Sequence, residues 1–142
     1  MANAPTMSLL LVEDDDVAAE AVVRGLRSHA VECPIVLAED GAAALRVLRG
    51  TDPSRRITKP YLVLLDLNLP GMNGFEFLQA LRADPELRET VIFVLTTSDA
   101  SSDRARAYQD QIAGYMVKSA VGPQFSALSR LLTEYRSTVQ LP

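Results

Sequence analysis

Four positions in the chain carry side chains suited to one piece of chemistry. Glu13 and Asp14 follow the apolar run Leu9 to Val12, and Asp66 follows Tyr61 to Leu65. Thr96-Thr97-Ser98 follow Val91 to Leu95, and Lys118-Ser119 follow Tyr115 to Val117. If these runs are neighbouring strands, carboxylates, hydroxyls and one amine converge on one edge of a sheet. Glu13, Asp14 and Asp66 together carry a formal −3, and Lys118 returns only +1. Left alone, such carboxylates repel one another and tend to hold a proton. Mg²⁺ closes the sum at zero and favours oxygen ligands while keeping waters. With a phosphoryl donor present, the cation and Lys118 would neutralise charge on the transferring group's oxygens. Asp66 would then be a carboxylate nucleophile forming an acyl phosphate.

The elements that must position these residues alternate along the chain. Met7 to Val12, Ile35 to Ala38, Tyr61 to Leu65, Val91 to Leu95 and Tyr115 to Val117 are short unbroken apolar runs. That pattern marks strands covered on both faces. Between them lie helical spacings: Ala18, Val22, Leu26; Ala44, Leu45, Leu48; Phe75, Leu78, Leu81. A last stripe runs through Phe125, Leu128, Leu131, Leu132, Tyr135 and Val139, whereas 98–110 is polar and the weakest helix. Asp40 and Asn73 read as N-caps, and Gly122-Pro123 as the start of the last helix. Five βα pairs with right-handed crossovers predict an α/β fold: a doubly wound, five-stranded parallel sheet of order 2-1-3-4-5 with helices on both faces. In that order the ligand crevice falls between strands 1 and 3, where Glu13, Asp14 and Asp66 stand.

Composition narrows the function. The 142 residues suit one domain, expected over 7–135, with 1–6 disordered and 136–142 extending the last helix as a dimerisation arm. With 18 acidic and 14 basic residues the net charge is −4, which disfavours general nucleic-acid binding. A lone His29 and a lone Cys33 argue against zinc sites, disulfides and Ser-His catalysis, and both read as structural. No apolar run approaches the roughly 20 residues of a membrane helix, so a soluble, cytoplasmic protein is expected.

The acid pair Glu13-Asp14 after Leu9 to Val12, Asp66 within Leu64-Leu65-Asp66-Leu67-Asn68-Leu69-Pro70-Gly71-Met72-Asn73-Gly74, Thr96, Tyr115 and Lys118 together resemble the receiver domain of two-component response regulators. The resemblance runs over about residues 7–135. It implies that Asp66 accepts a phosphoryl group from a sensor histidine kinase in a phosphorelay. It implies that Asp14, Asp66 and the backbone carbonyl of Asn68 hold Mg²⁺, with Glu13 acting through water. Lys118, Thr96 and the Thr97 amide would contact the phosphoryl oxygens, and Tyr115 would couple them to the face of helix 4, strand 5 and helix 5.

Taken singly, each residue has a plainer explanation. Asp15 and Asp16 suit a helix start, and Asp66 before Asn68 and Pro70-Gly71 suits a turn. Their joint placement at four strand ends outweighs those readings. One departure from the family is Ser119, where most receivers have a proline in a cis bond; a cis bond before serine would cost ~2.5–4 kcal/mol, so a trans Lys118–Ser119 bond is expected. Lys118-Ser119, Leu95 to Ser98, the loop from Asp66 to Gly74 and the basic insertion with Arg55, Arg56 and Lys59 resemble the stand-alone regulators paired with phytochrome kinases. After Tyr135 too few residues remain for an output domain, so the signal is expected to leave through a surface, and a homodimer through Arg104, Tyr108, Tyr115, Phe125, Tyr135 and Val139 is the expectation. Two rivals are a receiver fold used as a binding module without phosphorylation, and a phosphatase of the haloacid dehalogenase type. The second would need an Asp where Asn68 stands.

Overall fold

The computed structural model describes residues 7–29 and 31–142. The expectation of a disordered 1–6 lies outside the described residues. Strands β1 (Ser8–Val12), β2 (Ile35–Ala38), β3 (Tyr61–Leu65), β4 (Ile92–Thr96) and β5 (Gly114–Val117) alternate with helices α1 (Asp16–Ser28), α2 (Gly41–Arg49), α3 (Gly74–Ala83), α4 (Ser101–Gln109) and α5 (Ser126–Thr138). The strands form one parallel sheet of order β2-β1-β3-β4-β5, as the alternation predicts.

Each central strand feeds two cores, which is why its sequence shows no alternation. Leu10, Val12, Val63, Leu65, Ile92 and Val94 face α2, α3 and α4. Leu9, Leu11, Leu62, Leu64, Phe93 and Leu95 face α1 and α5. β1, β3 and β4 are buried along their whole length, whereas β5 is half-buried throughout and Leu37 of the edge strand β2 is exposed.

Local signals set the helix starts. The Asp40 carboxylate accepts the Ala43 N–H at 2.7 Å, and Asn73 with Glu76 closes a reciprocal capping box. The last helix departs from expectation. Gly122-Pro123 opens a short 3₁₀ turn instead, and α5 starts at Ser126. Gly122 has φ +83°, where a Cβ would meet Ser126 Oγ, and Gln124 and Phe125 follow at φ 53° and 59°. A left-handed pair of this kind breaks a helix that apolar spacing alone would continue.

The expected arm also differs. The helix stops at Thr138 rather than carrying through 142, and Val139 turns away in an extended conformation. Tyr135 stacks edge-on against Phe93 at 5.3 Å between centroids, and Leu141 packs on the α1/α5-side core. These residues serve their own chain's core, so what remains exposed of the stripe is Leu131 and Val139. The Lys118–Ser119 bond is trans: the one cis bond among the described residues is Lys59–Pro60.

One tertiary clamp has no sequence signature. The Arg82 guanidinium donates to the carbonyls of Asp110, Arg88, Thr90 and Gln111 at 2.7–3.0 Å. It thereby ties α3 to the turns that enter β4 and β5. Hydrogen bonds to a charged donor contribute about 1.5–3 kcal/mol each, and these carbonyls are partly accessible to water, so Arg82→Leu should cost about 2–4 kcal/mol. Thermal unfolding should show this as a fall in Tm of roughly 5–15 °C. Arg82→Lys should recover only part, because an ammonium lacks the planar fork that spans four carbonyls.

Candidate functional site

β1 and β3 lie in register, Val12 beside Leu65, so Glu13 and Asp66 leave the sheet side by side. Asp66 N–H bonds the Val12 carbonyl at 3.0 Å and locks this adjacency. Both side chains are buried, at 8% exposure for Glu13 and 6% for Asp66. Lys118, at the end of β5, spans them, with Nζ 3.2 Å from Glu13 Oε1 and 3.0 Å from Asp66 Oδ2. The fully buried Thr96 donates its hydroxyl to Asp66 Oδ1 at 3.0 Å, and the Asn68 N–H donates to the same oxygen at 3.0 Å. Three donors, from the ends of β4 and β5 and from the loop after β3, thus meet at one carboxylate.

The loop after Asp66 is held against the sheet by close backbone contact. A Cβ on Gly74 would sit 2.6 Å from Leu67 Cα and 2.9 Å from the Asp66 carbonyl oxygen. Only glycine lets α3 start this near to Asp66.

Electrostatics divide the two acids. Burial, then a hydrogen bond to Asp66 and that carboxylate's charge, push Glu13 up to about 8 from its ordinary 4.5, against the pull of Lys118. Burial would raise Asp66 too, but hydrogen bonds from Glu13, the Asn68 N–H and Lys118 hold it below its usual range. The two shifts favour the proton on Glu13 and the charge on Asp66. The folded state prefers protonated Glu13, so this contribution to stability is intact below about pH 4.5 and drains away as pH rises to about 8. Urea unfolding without divalent cations should show that decline, and Glu13→Gln should flatten it across the same window. An unaltered slope would contradict the assignment.

The remaining residues divide. Asp14 is exposed and makes no hydrogen bond to Asp66 or Lys118. It directly follows the buried Glu13 at the end of β1; among the described residues, no three His, Cys, Asp or Glu side chains form a ready-made metal cluster. The donor chemistry still suits a hard divalent cation. Glu13, Asp14, Asp66 and the Asn68 carbonyl offer oxygen alone, and the buried acid pair has one ammonium to balance it. Thr97 is exposed, and its hydroxyl lies 3.5 Å from Asn68 Nδ2 across the mouth of the site. The Tyr115 hydroxyl donates to the Ser98 carbonyl at 3.0 Å. Arg104 and Tyr108 are exposed on α4, and Phe125 is half-buried against the core. Asp15 caps α1 through the N–H groups of Val17 and Ala18. His29 ends that helix with Nδ1 2.9 Å from the Gly25 carbonyl, and Cys33 is buried.

Sequence reasoning missed two contacts beside the site. Ser98 Oγ donates to Asp103 Oδ2 at 2.6 Å, and the Arg106 guanidinium lies 4.1 Å from the centre of the Phe75 ring. An acid three residues into a helix is a capping signal, but here its partner lies two residues before the cap.

Comparison with known proteins places the fold and the sequence in one family. The response regulator Rcp1 of Synechocystis is 30% identical over 139 residues, 97% of this chain and 95% of that protein. The structure of its Mn²⁺-bound form superposes with a TM-score of 0.79 at 30% identity, covering 97% and 99% of the two chains. The phosphorylated cyanobacterial phytochrome response regulator RcpA gives 0.83 at 31% identity, again covering 97% and 99%. The bacteriophytochrome response regulator AtBRR gives 0.77 at 28% identity, covering 97% and 98%. A family model, response regulator receiver domain, matches residues 9–128. With that match and a site of this composition, the chain belongs to the receiver domains of response regulators.

Proposed function

We propose that Asp66 accepts a phosphoryl group from the phosphohistidine of a phytochrome-type sensor kinase, and that the protein relays this as a change in its protein contacts. The observation that carries this is the buried Asp66 carboxylate, hydrogen-bonded by Thr96, the Asn68 amide and Lys118. Support comes from RcpA, whose structure is a phosphorylated one, and from the Mn²⁺-bound Rcp1.

In the transfer, the bond from the histidine nitrogen to phosphorus breaks as one from an Asp66 oxygen to phosphorus forms, and the imidazole leaves. Asp66 needs no base, because hydrogen bonds from the Asn68 N–H and Lys118 favour its ionised form. Lys118 stays with the phosphoryl oxygens as charge develops there, and Thr96 and the Thr97 amide supply further donors. Glu13, Asp14, Asp66 and the Asn68 carbonyl would hold Mg²⁺, which when bound supplies additional charge neutralisation.

Incubation with Mg²⁺ and a small acyl phosphate should add one phosphoryl group per chain, mapped by peptide mass to Asp66. Absence of label would favour a phosphorylation-independent binding module, and turnover of many donor molecules would favour a phosphatase. A homodimer through α4, β5 and α5 belongs to the same reading, with Tyr108, Leu131 and Val139 exposed there. A chain truncated after Tyr135 should associate more weakly in sedimentation. Unchanged association would remove the C-terminal residues from that contact. No helix among the described residues is long and apolar enough to cross a membrane.

A further inference from the structure

β2 is an outer strand of the sheet, with β1 on one side and no strand on the other. Pro34 and Ala38 give their carbonyls to β1, at the N–H groups of Leu9 and Glu13. Successive carbonyls of a strand point to opposite sides, so that of Leu37 faces the open edge. An unpaired edge of this kind opens more readily than an inner strand. Glu13 is exposed to that weakness, because its N–H donates at 3.0 Å to Ala38 of this same strand.

The basic insertion before β3 supplies the bond that a further strand would make. Arg56 and Lys59 are exposed, whereas Arg55 turns inward. Its Nη1 donates to the Leu37 carbonyl at 3.0 Å and to Glu39 Oε2 at 2.7 Å, and its Nε and Nη2 meet Asp52 Oδ2 at 3.0 and 2.9 Å. Asp52 is buried, and its Oδ1 accepts the N–H groups of Ser54 and Arg55. The guanidinium is thus backed from behind by its own loop. The Glu39 carboxylate lies largely in water, where such a pair counts for little, so the Leu37 carbonyl and Asp52 are the contacts that fix Arg55.

We propose that Arg55 is a positioning residue for Glu13: by closing the open edge of β2 it keeps the Ala38 carbonyl under the Glu13 amide. Its effect on metal binding rests on the cation site proposed for Glu13. A lateral row of bonds results, from Arg55 to Leu37, from Glu13 to Ala38 and from Asp66 to Val12. Asp66 is the inner member, on a strand flanked by β1 and β4, so loss of Arg55 loosens the outer link and spares the inner one.

Backbone hydrogen exchange of the full chain without divalent cations tests this. In Arg55→Ala the Glu13 N–H should exchange about tenfold faster, the loss expected on removing about one hydrogen bond from a charged donor, while the Asp66 N–H should change by under about twofold. Asp52→Ala should reproduce the pattern, and Asp52→Asn, which keeps an acceptor, should restore most of the protection. Equal acceleration at both amides would overturn the proposal, since Arg55 would then stabilise the fold as a whole. So would unchanged exchange at Glu13. Should Arg55→Ala not fold, Arg55→Lys keeps the charge and gives the same comparison, with about a threefold acceleration at Glu13. Titration with Mg²⁺ alone, followed by the Asn68 amide shift, gives a second readout: the apparent Kd should rise about three- to fivefold in Arg55→Ala. An unshifted Kd, where the unsubstituted chain does bind, would also overturn the proposal. No Mg²⁺-dependent shift in the unsubstituted chain, with exchange still selectively faster at Glu13 in the variants, would sink the cation site and leave Arg55 as the residue that positions Glu13.

Discussion

Asp66→Asn should fold normally and take up no measurable phosphoryl group from an acyl phosphate or a phosphorylated kinase. The amide keeps the shape of the side chain, and its oxygen can still accept from Thr96 Oγ1 and the Asn68 N–H. What it loses is the anionic oxygen that attacks phosphorus. The substitution also removes the carboxylate that helps raise Glu13, so Glu13 should ionise at lower pH and pair with Lys118. Circular dichroism and urea unfolding near the unsubstituted values, with uptake at the detection limit by intact mass, are the joint expectation. Labelling that survives at another residue would show that Asp66 is not the acceptor.

Lys118→Ala should slow uptake by about 10²–10³-fold, the loss typical of deleting one donor to a developing oxyanion. Its stability effect should depend on pH. Burial lowers the lysine's proton affinity, but hydrogen bonds and charge from Asp66, then Glu13, outweigh it, so the ammonium is held above its ordinary 10.5. Its contribution is therefore present throughout the neutral range and lost only in strong alkali. Without it, Glu13 and Asp66 face each other with no cation, and the protein can satisfy them only by keeping the proton on Glu13. The variant should thus be less stable than the parent at pH 6, where the Lys118–Asp66 pair is lost, and by about 1–3 kcal/mol more at pH 9, where Glu13 also ionises. Denaturant titrations at the two pH values measure the difference. A pH-independent deficit would mean that Lys118 acts through packing of its stem instead.

Much of this architecture is legible because its determinants are local or strictly periodic. The five apolar runs give the strands, and Asp40 and Asn73 give helix starts, since each works through contacts within a few residues. Legibility ends where a residue's role depends on a distant partner. Nothing near Arg82 announces that four carbonyls from two other turns will close around it. The apolar stripe through Tyr135 does not say what that ring meets, and only the fold brings it edge-on to Phe93. Phe125 continues the α5 pattern perfectly, yet its left-handed backbone belongs to the preceding turn. At the site, residue types located Glu13, Asp66, Thr96 and Lys118, because strand ends in a parallel sheet share an edge. That Glu13 is buried while the adjacent Asp14 is exposed depends on the course of the backbone where β1 ends, and residue type does not record it.

The contrast between the sealed inner strands and the loosely covered β5 sets a rigidity gradient across the sheet. Phosphorus chemistry tolerates little positional error, and the carboxylate proposed to perform it stands at the end of β3, flanked by β1 and β4, where opening requires near-global unfolding. The rim carrying Tyr115 and bordering α4 has fewer packed neighbours to lose, so it can rearrange for small free-energy changes. Such a molecule can reshape what it shows to others many times over without ever loosening its grip on the reacting group.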